Sequence, residues 1–235
     1  VAIGGGALAT NTTGADNVAI GRVALANSTT ASNNTAVGKS ALFANTTGTS
    51  NVALGALALD ANTTGNQNVG VGKNAIGTNT TGDANTAIGH GALAVATTAD
   101  NNTAVGFHSL VANTTGASNA VLGAYALDAN TTGATNTAVG ASALGNNTTA
   151  SNNTAVGYSA LYANTTGTEN VAVGSNALDA NTTANGNSAL GHGSLGANTT
   201  GAANVAVGTA SLQSNTTASN NTGVGYLALG ANTTG

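Results

Sequence analysis

The chain has 235 residues, of which only 4% are charged and 3% aromatic, while 34 are Gly. Large side chains are too scarce for a thick globular core, so the interior is expected to be thin and filled by Ala, Val, Ile and Leu lying close to the backbone. Three bases against seven acids, a net charge of −4 and no Cys argue against a basic stripe for nucleic acid and a cationic membrane-binding segment, and exclude disulfides and thiolate metal sites.

The first residue lies inside a repeat and is not Met, which points to a piece of a longer chain with any signal peptide or anchor outside it. No apolar run is long enough to cross a bilayer, so no direct membrane insertion is expected of this segment. The dominant signal is repetition. The Gly that closes each short apolar run recurs every 17 residues, at Gly4, Gly21, Gly38, Gly55, Gly72, Gly89, Gly106, Gly123, Gly140, Gly157, Gly174, Gly191, Gly208 and Gly225. A register kept without one insertion or deletion is not a property of disorder, and the unit is too short and too rich in Gly, Thr, Asn and Val for a helical pair. The expected fold class is therefore all-β. It is a parallel β-solenoid or β-roll with one 17-residue repeat per turn, about 14 turns and no globular domain, and residues 1–235 form a single continuous array. Neither end carries a polar capping repeat, which points to a longer parent chain or an end-to-end stacked filament.

In chain order, each unit opens on an Asn: Asn17, Asn34, Asn51, Asn68, Asn85, Asn102, Asn119, Asn136, Asn153, Asn170, Asn187, Asn204 and Asn221. Together with a second Asn later in the unit, as in Asn34 and Asn45, it is expected to form side-chain amide ladders that satisfy corner backbone groups. A three-residue strand follows, exemplified by Thr35-Ala36-Val37, in which the first and third residues share one side and the middle residue faces the other. The third is always branched and apolar, so that side is expected to face the interior, leaving Ala outward. Solvent does not demand Ala, so Ala19, Ala36, Ala53, Ala87, Ala104, Ala138, Ala155 and Ala172 become candidate interchain contacts, where small side chains permit close approach. The alternative is that the Ala face is the interior of a very flat coil.

The recurring Gly then supplies a corner with positive φ or a crowded backbone. The two variable residues after it carry every base and every His, together with most aromatics. Arg22, Lys39, His90, Phe107, His108, Tyr125, Tyr158 and Tyr226 are therefore the candidate exposed binding edge, while acids such as Asp60, Asp128 and Asp179 lie elsewhere in the unit. Leu8, Leu25, Leu42 and their equivalents, with Ile76 the one substitution, form an interior ladder. The Asn-Thr-Thr segment closes the unit. It matches the glycosylation acceptor pattern at Asn11, Asn45, Asn62 and Asn113, although glycans on successive turns about 5 Å apart would collide. Its Thr rows raise ice binding as an alternative, with one outward row per pair.

Candidate chemistry is thin. Residues 70–75, GVGKNA, imitate a dinucleotide-binding glycine motif without the helix that must follow it. His90 and His108 fall on neighbouring turns within reach of a shared metal, but no third ligand accompanies them. Nucleophile, base and orienting acid nowhere recur together. The expectation is no catalytic residue, no cofactor, no metal, and no enzyme.

The segments NVAIG 17–21, NTAVG 34–38, NTAIG 85–89 and NVAVG 204–208, each followed by a small residue three positions later, resemble the YadA-like head repeats of trimeric autotransporter adhesins along essentially the whole chain. The resemblance implies a left-handed parallel β-roll, three chains packed side by side, and a place on the bacterial surface binding host matrix or other cells. The family's unit is shorter, and the Asn-Thr-Thr stretch is the extra part here. The functional expectation is an extracellular structural or adhesive fibre, a surface-adhesin head or shaft, with ice binding or a phage fibre segment as alternatives. Its expected partners are further copies of itself, as a trimer or an end-to-end filament, and host or cell-surface receptors.

Overall fold

The computed structural model describes residues 1–233, so Thr234, the last member of the recurring Thr pairs, lies outside the described residues. The chain divides into two compact units, Val1–Ser118 and Asn119–Gly235. The first holds β1 (Ala2–Ile3), β2 (Val18–Ile20), β3 (Thr35–Val37), β4 (Val52–Leu54), β5 (Val69–Val71), β6 (Thr86–Ile88) and β7 (Thr103–Val105). The second holds β8 (Ala120–Leu122), β9 (Thr137–Val139), β10 (Thr154–Val156), β11 (Val171–Val173), β12 (Ser188–Leu190), β13 (Val205–Val207) and β14 (Thr222–Val224). Within each unit the strands pair in parallel and in sequence order. Their register equals one repeat: Thr35, Ala36 and Val37 lie against Val52, Ala53 and Leu54, and Thr154, Ala155 and Val156 against Val171, Ala172 and Val173. Each unit is thus a parallel β-solenoid with one 17-residue repeat per turn.

The strands stop after three residues because the next one is a corner that only Gly fits. Gly38 has φ 139° and Gly174 φ 134°, a region L side chains rarely adopt. A Cβ on Gly38 would also stand 2.5 Å from the carbonyl oxygen of Gly55 one turn on. Past the corner the turn-to-turn bonding continues around the coil. Ser40 N–H donates to Arg22 O (3.0 Å), Leu42 N–H to Ala58 O (3.0 Å), Ala44 N–H to Asp60 O (2.9 Å) and Thr46 N–H to Thr63 O (2.9 Å). The backbone therefore finds its partners in the neighbouring turns, as a chain with so little side-chain chemistry requires.

Leu is the main space-filler, and the ladder from Leu25 through Leu42, Ile76 and Leu127 to Leu212 is completely buried, while Leu229 on the last turn is exposed. Each sits in the left-handed region, Leu42 at φ 51° and β-branched Ile76 also at 51°. That costs about 1 kcal/mol or more per turn, and burying the side chain, worth roughly 2 kcal/mol, offsets it.

The side of the strand that faces inward is the reverse of the leading sequence expectation. Ala19, Ala36, Ala53, Ala87, Ala104, Ala138, Ala155 and Ala172 are all fully buried within the coil, so they are not interchain contacts. The branched residues flanking them point out: Leu54 is 48% exposed, Leu122 52% and Leu190 51%. The reason is the width of the coil. At Gly70, which replaces this Ala, an added Cβ would lie 3.4 Å from the Leu59 side chain and 3.2 Å from Ala75 O. Leu fills most of the interior from the opposite wall and leaves room for a small side chain, Ala in most turns and Val at Val121, which is also buried.

Candidate functional site: the variable edge and the strand face

Two Asn ladders hold the coil in shape and thereby fix what it displays. Asn51 N–H donates to Asn34 Oδ1 at 2.9 Å, and Asn51 Nδ2 to Gly65 O at 2.8 Å. The second ladder joins at the same carbonyl: Asn62 Nδ2 donates to Gly65 O at 3.0 Å and to Asn45 Oδ1 at 2.9 Å. From Asn34 to Asn204 the opening Asn residues are buried and repeat this arrangement, as in Asn153, whose N–H donates to Asn136 Oδ1 at 3.0 Å. Asn45, Asn62 and Asn113 are likewise fully buried, so three of the four acceptor sequons singled out present no accessible amide to a glycosylating enzyme. In the following Thr pair the first hydroxyl is spent on the coil, Thr46 Oγ1 donating to Thr63 O at 3.0 Å, and the second residue, as at Thr47, is exposed.

The strand face presents two outward columns. One carries Val or Thr, as at Val52, Thr86, Thr137 and Val171, and the other Ile, Val or Leu, as at Ile20, Leu54, Ile88, Leu122 and Leu190. Sequence reasoning placed these residues inside because they are apolar. The signal that they are not interior was the residue between them, held to Ala or Gly with Val121 the one larger exception, because Leu leaves it little space.

The variable edge is where the sequence placed it. Arg22, Lys39, His90, Phe107, Tyr125, Tyr158 and Tyr226 are exposed, and His108 is half-buried. Composition argued against a basic stripe, yet Arg22, Lys39 and Lys73, the only Lys or Arg residues of the chain, occupy one position of the repeat, in the first unit alone. The next two turns bring rings to the same edge. His90, Phe107 and His108 lie in planes within 14° of one another, with centroids 4.2 to 5.5 Å apart. Gly91 allows this, since a Cβ there would stand 2.8 Å from His108 Cδ2. Imidazole lone pairs lie in the ring plane, so His90 and His108, parallel to within 9°, do not converge on one metal ion.

Two notches went unnoticed in the sequence. Asp60 and Asp179 each lean over a Gly one turn on, Gly77 and Gly196, with Oδ1 3.7 Å and 3.6 Å from where a Cβ would be. The cavities beside them, about 400 Å³ and about 280 Å³, are lined by Asn74 and Thr78 in one case and by Asn176, His192 and Gln213 in the other. Burial pushes both carboxyls above their ordinary range, against hydrogen bonds from their own backbone amides and, at Asp179, that of Ala180. The signal was an Asp followed one period later by Gly, a pairing that Asp128 and Gly145 share although there the Tyr162 ring lies over the Gly.

Among the described residues no three His, Cys, Asp or Glu gather as a metal site, and no helix is long and apolar enough to cross a membrane. Residues 70–75 run from the middle of β5 through the corner after it, without the helix a dinucleotide site needs. Compared with known proteins, the chain matches no family model, no curated protein and no solved structure.

Proposed function

We propose that the chain is a structural fibre element of the extracellular or cell-surface kind, which self-associates through its strand face and serves as an adhesin head or shaft rather than as an enzyme. The observation that carries this reading is the pair of outward columns on the strand face. In the first unit Ile20 is 37% exposed and Ile88 42%, and soluble monomers rarely leave contiguous apolar surface of this kind uncovered. A second copy is the natural cover, because its columns repeat on the same turn spacing and its Thr residues supply hydroxyls for the polar gaps between Val and Ile. The resemblance to autotransporter head repeats supports three copies side by side.

The test is the oligomeric state of the full chain by sedimentation velocity, beside a variant carrying Leu54→Glu and Leu122→Glu. The wild type is expected to sediment as an oligomer and the variant as a monomer with an unchanged circular dichroism spectrum, because both substitutions are outward. A wild type that stays monomeric at every concentration overturns the reading.

A further inference from the structure

We infer that the edge of the first unit is a docking line for a linear anionic polysaccharide of low charge density, one that carries about one carboxylate or sulfate per sugar ring. This deepens the adhesive part of the function proposed above and rests on it, while leaving the strand face untouched.

The argument begins with placement. Arg22, Lys39 and Lys73 share one position of the repeat and are all exposed. The backbone holds them in one column: Ser40 N–H donates to Arg22 O, Leu57 N–H to Lys39 O and Gly91 N–H to Lys73 O, each at 3.0 Å. The unit's four acids, Asp16, Asp60, Asp83 and Asp100, lie at other positions of the repeat. The column is therefore a line of one sign on a molecule whose net charge has the other. Successive turns are about 4.8 Å apart, within the Debye length of about 10 Å at 0.1 M salt, so neighbouring bases act on a ligand together. Past Lys73 the line runs on to His90 and Phe107, whose rings stack on each other.

Charge spacing selects the partner. Duplex DNA carries one charge per about 1.7 Å and a single strand one per about 3.4 Å. The edge offers at most one cation per turn, with Ala56 as a gap, and the acids elsewhere on the chain repel so dense a polyanion. An anionic membrane is met by a face with a basic and an apolar side, whereas this is a single column. A chain of sugar acids, with its charges one ring apart, matches a column whose charges are a turn apart.

The experiment measures binding of the immobilised full chain to polygalacturonate at low ionic strength, with neutral dextran, oligo(dT) and phosphatidylserine vesicles as comparisons. Three chains are used: the wild type, a variant with Arg22→Gln, Lys39→Gln and Lys73→Gln, and a charge-keeping variant with Lys39→Arg and Lys73→Arg. The wild type is expected to bind polygalacturonate and not dextran, with affinity falling as salt rises. The Gln variant should lose about tenfold, the sum of three exposed charge contacts, and the Arg variant should stay within about twofold. Sedimentation of the Gln variant should equal that of the wild type, which separates failure of the edge from failure of self-association. The inference is overturned if polygalacturonate does not bind, if oligo(dT) or the vesicles bind more tightly, or if the Gln variant binds as the wild type does.

Discussion

The two units are the same coil with different investments. In the second, the later Asn ladder runs unbroken from Asn130 through Asn147, Asn164, Asn181 and Asn198 to Asn215, stops there with Asn215 Oδ1 and Asn232 Nδ2 unpartnered, and there is no Lys or Arg. In the first, that ladder is broken at Ser28 and Ala96, yet the unit carries all three bases and the ring stack. At the breaks the structure is looser. Ser28 Oγ is buried without a partner, and the bonds Ser28 N to Leu25 O and Ala96 N to Leu93 O are 3.4 and 3.5 Å, slightly beyond the range set where Asn holds the position, from 3.0 Å for Asn198 N to Leu195 O to 3.3 Å for Asn164 N to Leu161 O. The interior sets stability and the edge sets what is displayed, and the two vary independently from turn to turn.

The hardest test of that equivalence is the corner. Gly72→Ala in the first unit and Gly174→Ala in the second should each cost about 3 kcal/mol or more, since both combine a positive φ with backbone overlap. The added Cβ would stand 2.5 Å from Gly89 O in one and 2.6 Å from Gly191 O in the other. Chemical denaturation followed by circular dichroism should give the same loss in both, and unequal losses would mean the two units do not share one corner geometry.

Next in size is the ladder. Asn164→Ala removes donors to Asn147 Oδ1 and Gly167 O and the acceptor of Asn181 Nδ2, and should destabilise by about 2 kcal/mol. In the opposite direction, Ser28→Asn and Ala96→Asn should each stabilise by about 1 kcal/mol by closing the breaks. No gain from either would detach the ladder from the difference between the units.

The smallest effect is electrostatic. Burial raises the pKa of Asp60 and Asp179 from the ordinary 3.8, so the folded state holds these protons more tightly than the unfolded chain does. Their ionisation costs nothing below pH 3.8, and the cost grows as pH climbs to the raised value, where it is complete. Asp60→Asn and Asp179→Asn should therefore match the wild type in acid and exceed it at neutral pH, by less than about 0.5 kcal/mol because solvent reaches both groups. A gain that is larger in acid would contradict the sign.

Most of the coil was legible because its constraints fall on residue types that nothing else satisfies. Gly38 is required by φ and backbone crowding, Leu42 by volume, and Asn34 by a donor and acceptor on one short side chain. The facing of Ala36 and Val37 was not legible. Alternation tells which residues share a side, while the inward side depends on how much space Leu42 leaves from the opposite wall. The left-handed Leu42, at φ 51°, and Ser40, at 57°, were equally hidden, because neither residue type marks that conformation as Gly does. The edge was legible as variable and exposed, but the ring stack was not, since it depends on the missing side chain of Gly91 beneath His108.

The corner carries a consequence for how such a chain lengthens. Because within each unit the Gly corners lie against the carbonyl of the next, as Gly38 does against Gly55 and Gly174 against Gly191, adding or removing a single residue would throw every later Gly, Asn and Leu of that unit out of line with its neighbour. Growth is confined to whole 17-residue steps, so the array behaves like a material cut in fixed increments: its reach changes by duplication or loss of complete turns, and its chemistry by substitution at the two residues beyond each corner.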